Sequence, residues 1–475
     1  MSEDLKAADE TATKRRLGSA YWRLWTASVI SNLGDGIALI AYPWLASAIT
    51  RNGLLIALIA VAQRLPWLVF TLPAGVITDR VDRRKLIAGM DVVRFAITIV
   101  VALVVLVNEA SLPSPSELAT GGEVSTNTFV YLVLVGAALM FGFAEVLRDN
   151  AAQTILPAIV EAEDLEKANG NLWGAEMVAN SFVGPPLGSF LLAIGFALPF
   201  FVDAGTFAVA AALVFLITGQ FRAQPVEQQS KTIDWGGEIK EGFLWLWQHP
   251  VLRPLAIVLG FLNALGMMVF STFILFAQEE LDLETGLFTG VFGSIGEFFG
   301  FESVGALIFA LLISGGAIGG IIGSVAAPRI SARIGSGPSL YVTMISSSLT
   351  ALVIGFASRW WVAFLMFAIG TAGAVLWNVI TVSLRQTIIP DHLLGRVNSV
   401  YRFFGWGMMP IGSALGGLVM VVGEAIWDRP IGLRLPYFVV AVSQLLLFLY
   451  AAPRLTTQKM EAARAEGIAA HESAD

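Results

Sequence analysis

Of the 475 residues, 56% are hydrophobic and only 14% are charged, and the mean hydropathy is +0.74. A soluble chain carries about a quarter charged residues, so the composition excludes a water-soluble globular protein and requires many membrane spans. There is no cysteine, and His249, His392 and His471 all read as loop or tail positions, which removes disulfide frameworks, thiolate metal sites and histidine-based metal or proton chemistry inside the membrane.

The N-terminus is acidic before Lys14-Arg15-Arg16 and has no cleavable-signal pattern, so the helix beginning at Tyr21-Trp22 is expected to stay. Apolar stretches of spanning length are expected near 22–48, 54–78, 86–108, 128–152, 168–196, 198–218, 252–277, 303–326, 339–357, 361–384, 398–422 and 435–453. Each is close to the roughly 20 residues that cross a bilayer. The connections after the odd-numbered spans hold only Arg51, Arg359, Arg429 and Arg434 of the 29 Lys and Arg residues. This asymmetry predicts a multi-pass protein of the cell inner membrane with both termini cytoplasmic.

Spans 2 and 3 are joined through Leu72-Pro73-Ala74-Gly75-Val76-Ile77-Thr78-Asp79-Arg80-Val81-Asp82-Arg83-Arg84-Lys85, a tight basic turn. Its cations suit an anchor on the cytoplasmic side. Asp79 does not, because it ends a helix where the backbone dipole is already negative and therefore needs a positive partner. The pattern G-x-x-x-D-R-x-D-R-R-K resembles the signature loop between helices 2 and 3 of the major facilitator superfamily, with Asp82 where that family usually has Gly. A polar segment from Gln220 to His249 separates six spans from six. Gln153-Thr154-Ile155-Leu156-Pro157, after span 4, returns as Gln386-Thr387-Ile388-Ile389-Pro390 after span 10. The resemblance implies an all-α membrane fold of twelve transmembrane helices in two six-helix bundles related by an internal repeat. Its expected divisions are 1–218, a cytoplasmic linker 219–251, 252–455 and a cytoplasmic tail 456–475.

In span 5, Gly184-Pro185-Pro186-Leu187-Gly188 is similar to the glycine-proline motif on helix 5 of antiporters in this superfamily. Gly and Pro there permit a close helix approach and a kink, and ordinary small-residue packing accounts for Gly184 and Gly188 equally well. The run from Leu384 to Gly417 resembles the branch that contains macrolide efflux proteins and the enterobactin exporter. An extended outer loop, Gln278 to Glu302, departs from it. That loop is expected to form a short amphipathic or re-entrant piece carrying Phe288, Phe292, Phe298 and Phe299.

Ionisable residues inside spans are expensive and are functional candidates. Asp35 and Arg64 both lie about 20 Å from the inner face at 1.5 Å per residue, so a direct contact is expected. The pair either fixes helix packing or couples protons, with Asp35 exchanging Arg64 for a proton. Glu145, Arg148 and Asp149 share one helix face as a helix-end gate or as proton carriers. Glu176 has no cation on its own helix and joins Asp35, Arg64 and Glu145 as a proton-coupling candidate. Asp203 reads as an interfacial residue near the outer end of span 6. The gate candidates are Gly75, Asp79, Arg80, Arg83, Arg84, Arg148, Asp149, Arg396 and Arg402, with Asp79 expected to latch against the start of span 11. The second half has no acid or base inside spans 7 to 10. Its Met and Trp residues suit an apolar pocket, a core or a lipid face. Asn32, Asn180, Asn263, Met267, Trp377, Asn378 and Trp406 are the substrate-cavity candidates.

The resemblance implies a proton-coupled exporter of amphipathic organic compounds such as drugs, macrolide-like molecules or siderophores, working by alternating access. Its expected partners are a small-molecule substrate, protons and the lipid bilayer. A monomer without cofactor, metal or nucleic acid is expected. Uptake of a small metabolite and a non-transporting receptor or scaffold are the alternatives. No nucleophile, metal constellation or P-loop supports an enzyme.

Overall fold

The computed structural model describes residues 17–119, 122, 124–161, 164–219, 221, 235–283, 290, 293–294 and 304–472. All described elements are helical, as apolar chain in a bilayer requires if every backbone group is to be paired within its own segment. Among the described residues, twelve helices are long and apolar enough to cross a membrane. In the first half they are α1 (Ser19–Ile49), α2 (Gly53–Arg80), α3 (Arg83–Asn108), α4 (Thr128–Ile159), α5 and α6 (Leu198–Phe215). In the second half they are α7 (Leu252–Phe270), α8 (Gly305–Ile334), α9 (Ser336–Phe356), α10 (Trp360–Ile388), α11 (Asp391–Ile426) and α12 (Arg429–Ala451). Helix α5 comes in pieces, Leu165–Val178 and Gly184–Ile194 around a π-helical turn Ala179–Val183.

Local chemistry sets several helix starts. Asn52 accepts from the backbone N–H groups of Leu54 and Leu55 to open α2. Asn127 caps α4 through Val130 N, and Asp428 caps α12 through Ile431 N at 2.8 Å. Asp82, the departure from the family pattern, caps α3 by accepting from Lys85 N at 3.1 Å, and its other oxygen accepts from Phe221 N at 3.2 Å. It therefore ties the turn to the end of the first half. His249 Nδ1 accepts from Val251 N and Leu252 N at the head of α7, and burial pushes its imidazole below the usual histidine range.

The two halves repeat one packing scheme. In the first, α2 lies on α4, α3 on α4 and α6, and α1 on α5 and α6. In the second, α8 lies on α10, α9 on α10 and α12, and α7 on α11 and α12. The halves meet through α2 against α11 and α5 against α8, contacts that exchange under the same repeat. The matching pentapeptides fall at the ends of α4 and α10, equivalent helices of the two halves.

Two structural features correct the linear reading. The expected span 252–277 breaks at Ser271-Thr272, and a separate helix, Phe273–Glu280, follows. Gln278, Glu279 and Glu280 therefore belong to a helix and not to an outer loop, while 284–289 and most of 291–303, with the expected aromatic piece, lie outside the described residues. The linker helix Trp235–Gln248 packs on α11, and the tail helix Thr457–Glu472 packs on α9 and α10. The linker helix and the tail helix lie at one end of the bundle, the linker face, and the other end is the opposite face.

Candidate transport cavity

A cavity of about 540 Å³ lies between the halves. Its first-half wall carries Asp35, Arg64, Arg94, Glu145, Arg148, Asp149 and Glu176, beside Asn32 and Asn180. Its second-half wall is made of Met267, Phe270, Ser271, Phe273, Ile274, Phe309 and Ile313. One wall is charged and the other is nearly all apolar.

Arg94, on α3, organises the charged wall. Its guanidinium donates to Asp35 at 2.5 Å and to Ser31 Oγ at 3.0 Å. It lies 4.0 Å from the ring centroid of Phe207 and 4.6 Å from that of Phe141. The Arg94 side chain is 2% exposed and that of Asp35 29%, so Asp35 is the member of the pair more open to the cavity. Asp91, one turn earlier on the same face of α3, accepts from Arg148 Nε at 3.2 Å and stands 3.5 Å from Arg94. Arg148 in turn meets Asp149 at 3.4 Å. Charges thus alternate from Asp35 through Arg94, Asp91 and Arg148 to Asp149, and each neighbour offsets part of the cost of burying the last.

This arrangement corrects the expected Asp35–Arg64 contact. Helix α1 packs on α5 and α6, while α2 packs on α4 and α11, so two helices consecutive in the chain are not close neighbours in the bundle. Equal depth alone does not bring Asp35 and Arg64 together. Arg64 lines the same cavity from α2 and makes no ion pair among the described residues; its charge acts on Glu145. Glu145 Oε2 is buried without a hydrogen-bond partner there. Asp203, expected at the interface, is 1% exposed, and both of its carboxyl oxygens are buried without a hydrogen-bond partner among the described residues.

The helix-5 motif sets α1 against α5 beside Asp35. A Cβ on Gly184 would come within 2.6 Å of Gly36 Cα, and one on Gly188 within 2.7 Å of Ile37 O. Pro185, buried, follows the π turn, where a missing N–H costs no regular helical bond. Asn180 Nδ2 reaches Asn32 O at 3.5 Å across the same crossing.

The remaining candidates are dispersed. Arg83 donates to Thr154 O at 3.0 Å and Arg84 to Ile217 O at 2.5 Å, which ties the basic turn to α4 and to the end of α6. Side-chain positions at 75, 79 and 80 lie outside the described residues, and the expected Asp79 latch with them. Arg396 pairs with Glu241 of the linker helix at 2.5 Å, and Arg402 lies over the Trp406 ring at 5.9 Å. Of the second-half cavity candidates only Met267 lines the cavity. Asn263 donates to Gly405 O at 2.9 Å and pins α7 to α11. Trp377 is buried in the core of its own half, Asn378 is exposed, and Trp406 packs on Trp67 with ring centroids 4.9 Å apart.

The opposite face is closed by a seal that the linear reading did not contain. Trp44 of α1 packs on Phe309 of α8, which packs on Phe273. Above these rings, Arg51 donates to Gln278 at 2.5 Å, and Gln278 donates to Ser47 Oγ at 3.1 Å. Arg429 grips both carboxylate oxygens of Glu279, at 2.5 and 2.7 Å, and donates to Arg51 O at 3.1 Å. Such a bidentate pair fixes geometry as well as supplying energy. Gly417 of α11 lies close enough to α2 that a Cβ there would meet Leu54 Cα at 2.7 Å.

Two repeated helical bundles around a central cavity closed at one end define a polytopic secondary transporter. The chain belongs to the Major Facilitator Superfamily, whose sequence profile matches residues 24–413. It is similar to the multidrug efflux pump Tap of Mycolicibacterium fortuitum, 26% identical over 396 residues that cover 82% of this chain and 87% of that protein. It is also similar to the enterobactin exporter EntS of Citrobacter koseri, 24% identical over 405 residues, 84% of this chain and 85% of that protein. Among solved structures, the nucleoside transporter NupG shares the fold with a TM-score of 0.61 at 11% identity, covering 91% of this chain and 98% of that chain. A bacterial homologue of the iron transporter ferroportin in its inward-facing state does so with a TM-score of 0.63 at 15% identity, covering 93% and 100%.

Proposed function

We propose that this transporter is a proton-coupled exporter of amphipathic organic compounds, with its linker face in the cytoplasm of the cell inner membrane. The observation that carries the reading is the Asp35–Arg94 pair on the wall of a cavity whose facing wall is apolar. An amphipathic compound can lay its apolar body on Met267, Phe270 and Ile313 and turn its polar part toward the charged wall. Asp35 is open to the same cavity, so water and protons reach it.

Protonating Asp35 removes half of the bond that ties α1 to α3, and α1 is the helix that meets α5 at Gly36 and forms the seal at Trp44. A local charge change is thereby linked to the helix contacts that must shift when access alternates. The basic turn at Arg83, Arg84 and Lys85 favours a cytoplasmic linker face. With the opposite face sealed, the arrangement then corresponds to a cavity addressed to the cytoplasm, where an exporter collects its cargo. The resemblance of the basic turn to the family's signature loop supports Asp79 as a latch against the start of α11, near Arg396 to Arg402, in the alternate state. The efflux role of Tap and the export role of EntS support the direction.

The test is the full chain in proteoliposomes with an imposed pH gradient, offered a cationic dye, a macrolide and a catecholate siderophore. Gradient-dependent movement of at least one of them is expected. Movement of none, or movement indifferent to the gradient, would remove the proposal.

A further inference from the structure

Asp35 cannot release Arg94 without consequence. Arg94 is 2% exposed, and a guanidinium does not deprotonate inside a protein, so an alternating Asp35 must hand it to another acid. Asp91 is already shared: its Oδ1 accepts from Arg148 at 3.2 Å and stands 3.5 Å from Arg94, while its Oδ2 is buried without a hydrogen-bond partner among the described residues, so its charge is divided between two arginines.

A second acid lies on the other side of Arg94. Asp203 sits one turn before Phe207 on α6, the ring against which the guanidinium packs. It faces α1 at Gly34, the residue next to Asp35, where a Cβ would collide with Asp203 Oδ1 and Thr206 Oγ1. Both oxygens of Asp203 are buried without a partner among the described residues, as are Arg94 Nε, Thr98 Oγ1 and Tyr42 Oη nearby. An ionised carboxylate so placed would cost several kcal/mol, whereas a neutral acid costs far less.

We propose that Asp203 is a proton-binding site and the alternate counter-ion of Arg94. While Asp35 holds Arg94, Asp203 carries the proton. When Asp35 takes a proton from the cavity, Arg94 moves to Asp203, whose own proton leaves past Gly34 to the cavity water. One proton enters and one leaves, and the three side chains keep zero net charge in both states. The titratable and charged groups that bear on Asp203 are Asp35 and Tyr42 from α1 and Arg94 from α3. The adjoining piece of α5, Gly184–Ile194, carries no ionisable side chain, and Glu109 is engaged with Phe196 N at the head of α6.

The inference rests on Asp35 as the coupling acid, but its test needs no substrate. Infrared spectroscopy of the full chain in nanodiscs at neutral pH reads buried protonated carboxyl groups directly, and aspartate labelled with carbon-13 at the carboxyl separates aspartic from glutamic acid. The unaltered protein is expected to show an aspartic acid band that is lost in Asp203→Asn. The same band is expected to vanish in Asp35→Asn, because Arg94 then moves to Asp203 and ionises it. No aspartic acid band, a band unchanged by Asp203→Asn, or one lost there yet retained in Asp35→Asn would each overturn the proposal. If Asp203→Asn does not fold, Asp203→Glu takes its place: the aspartic acid band is then expected to give way to a glutamic acid band, and a retained aspartic acid band would overturn the proposal. A transport assay that fails while these bands behave as stated would count against the export reading and not against the Asp203 site.

Discussion

The α1–α5 wall of the cavity carries seven Asp, Glu and Arg side chains and the α7–α8 wall none, although the two halves repeat the same helix packing. The repeat preserves which helix touches which, and that is a matter of small residues and shape. It does not preserve what faces the cavity. Charge inside a membrane is expensive and persists where it does work. Its confinement to one wall separates the parts that can answer a proton from the parts that can hold an apolar body. The separation can be broken from either side.

The largest effect is expected from Arg94→Ala, which leaves the half-buried Asp35 and the buried Asp91 without their shared cation. Breaking a buried pair in this way costs about 3–5 kcal/mol. The midpoint of thermal unfolding in detergent should fall sharply, with Arg94→Lys recovering part of the loss. An unchanged midpoint would mean that Arg94 does not organise this wall.

A smaller effect is expected at the seal. The chain has no cysteine, so a single Ile56→Cys in the cavity reports access without further changes. Adding Arg429→Ala removes the grip on Glu279 and Arg51, and a loss of about 1.4 kcal/mol shifts a two-state equilibrium tenfold. Labelling of that cysteine by an impermeant thiol reagent from the opposite face should rise roughly tenfold. No rise would show that the aromatic layer of Trp44, Phe273 and Phe309 closes this face unaided.

On the apolar wall the change should be smaller still. Met267→Ala removes apolar contact worth about 1 kcal/mol. The half-saturating substrate concentration should rise a few-fold while the dependence on the pH gradient stays as it was. Lost gradient dependence would show that the walls do not divide the labour.

Hydropathy alone located all twelve spans, and the basic turn with the pentapeptide echo pointed to the family. The charged wall was half legible. Asp35 stood out because nothing nearby in the sequence explains it. Arg94 did not, since it follows a basic turn closely enough to pass for part of the anchor. Helix α3 begins at Arg83, however, which puts Arg94 about 17 Å along its axis. Asp203 was misread for a related reason. It lies about 8 Å from the head of α6, a depth that suggests the interface, yet the packing of α1 over α6 covers it completely. The break at Ser271-Thr272 carries neither Gly nor Pro and so left no mark. Residue type could not tell Met267, which reaches the cavity, from Trp377, which faces the core of its own half.

The division between the walls is tested most directly by Asp35→Asn in proteoliposomes, with the two modes of transport measured side by side. The account predicts that exchange of labelled for unlabelled substrate without a gradient survives, because the binding wall and the seal are intact. It predicts that accumulation driven by an imposed pH gradient is lost. An Asp35→Asn protein that still accumulates substrate against its gradient would contradict it.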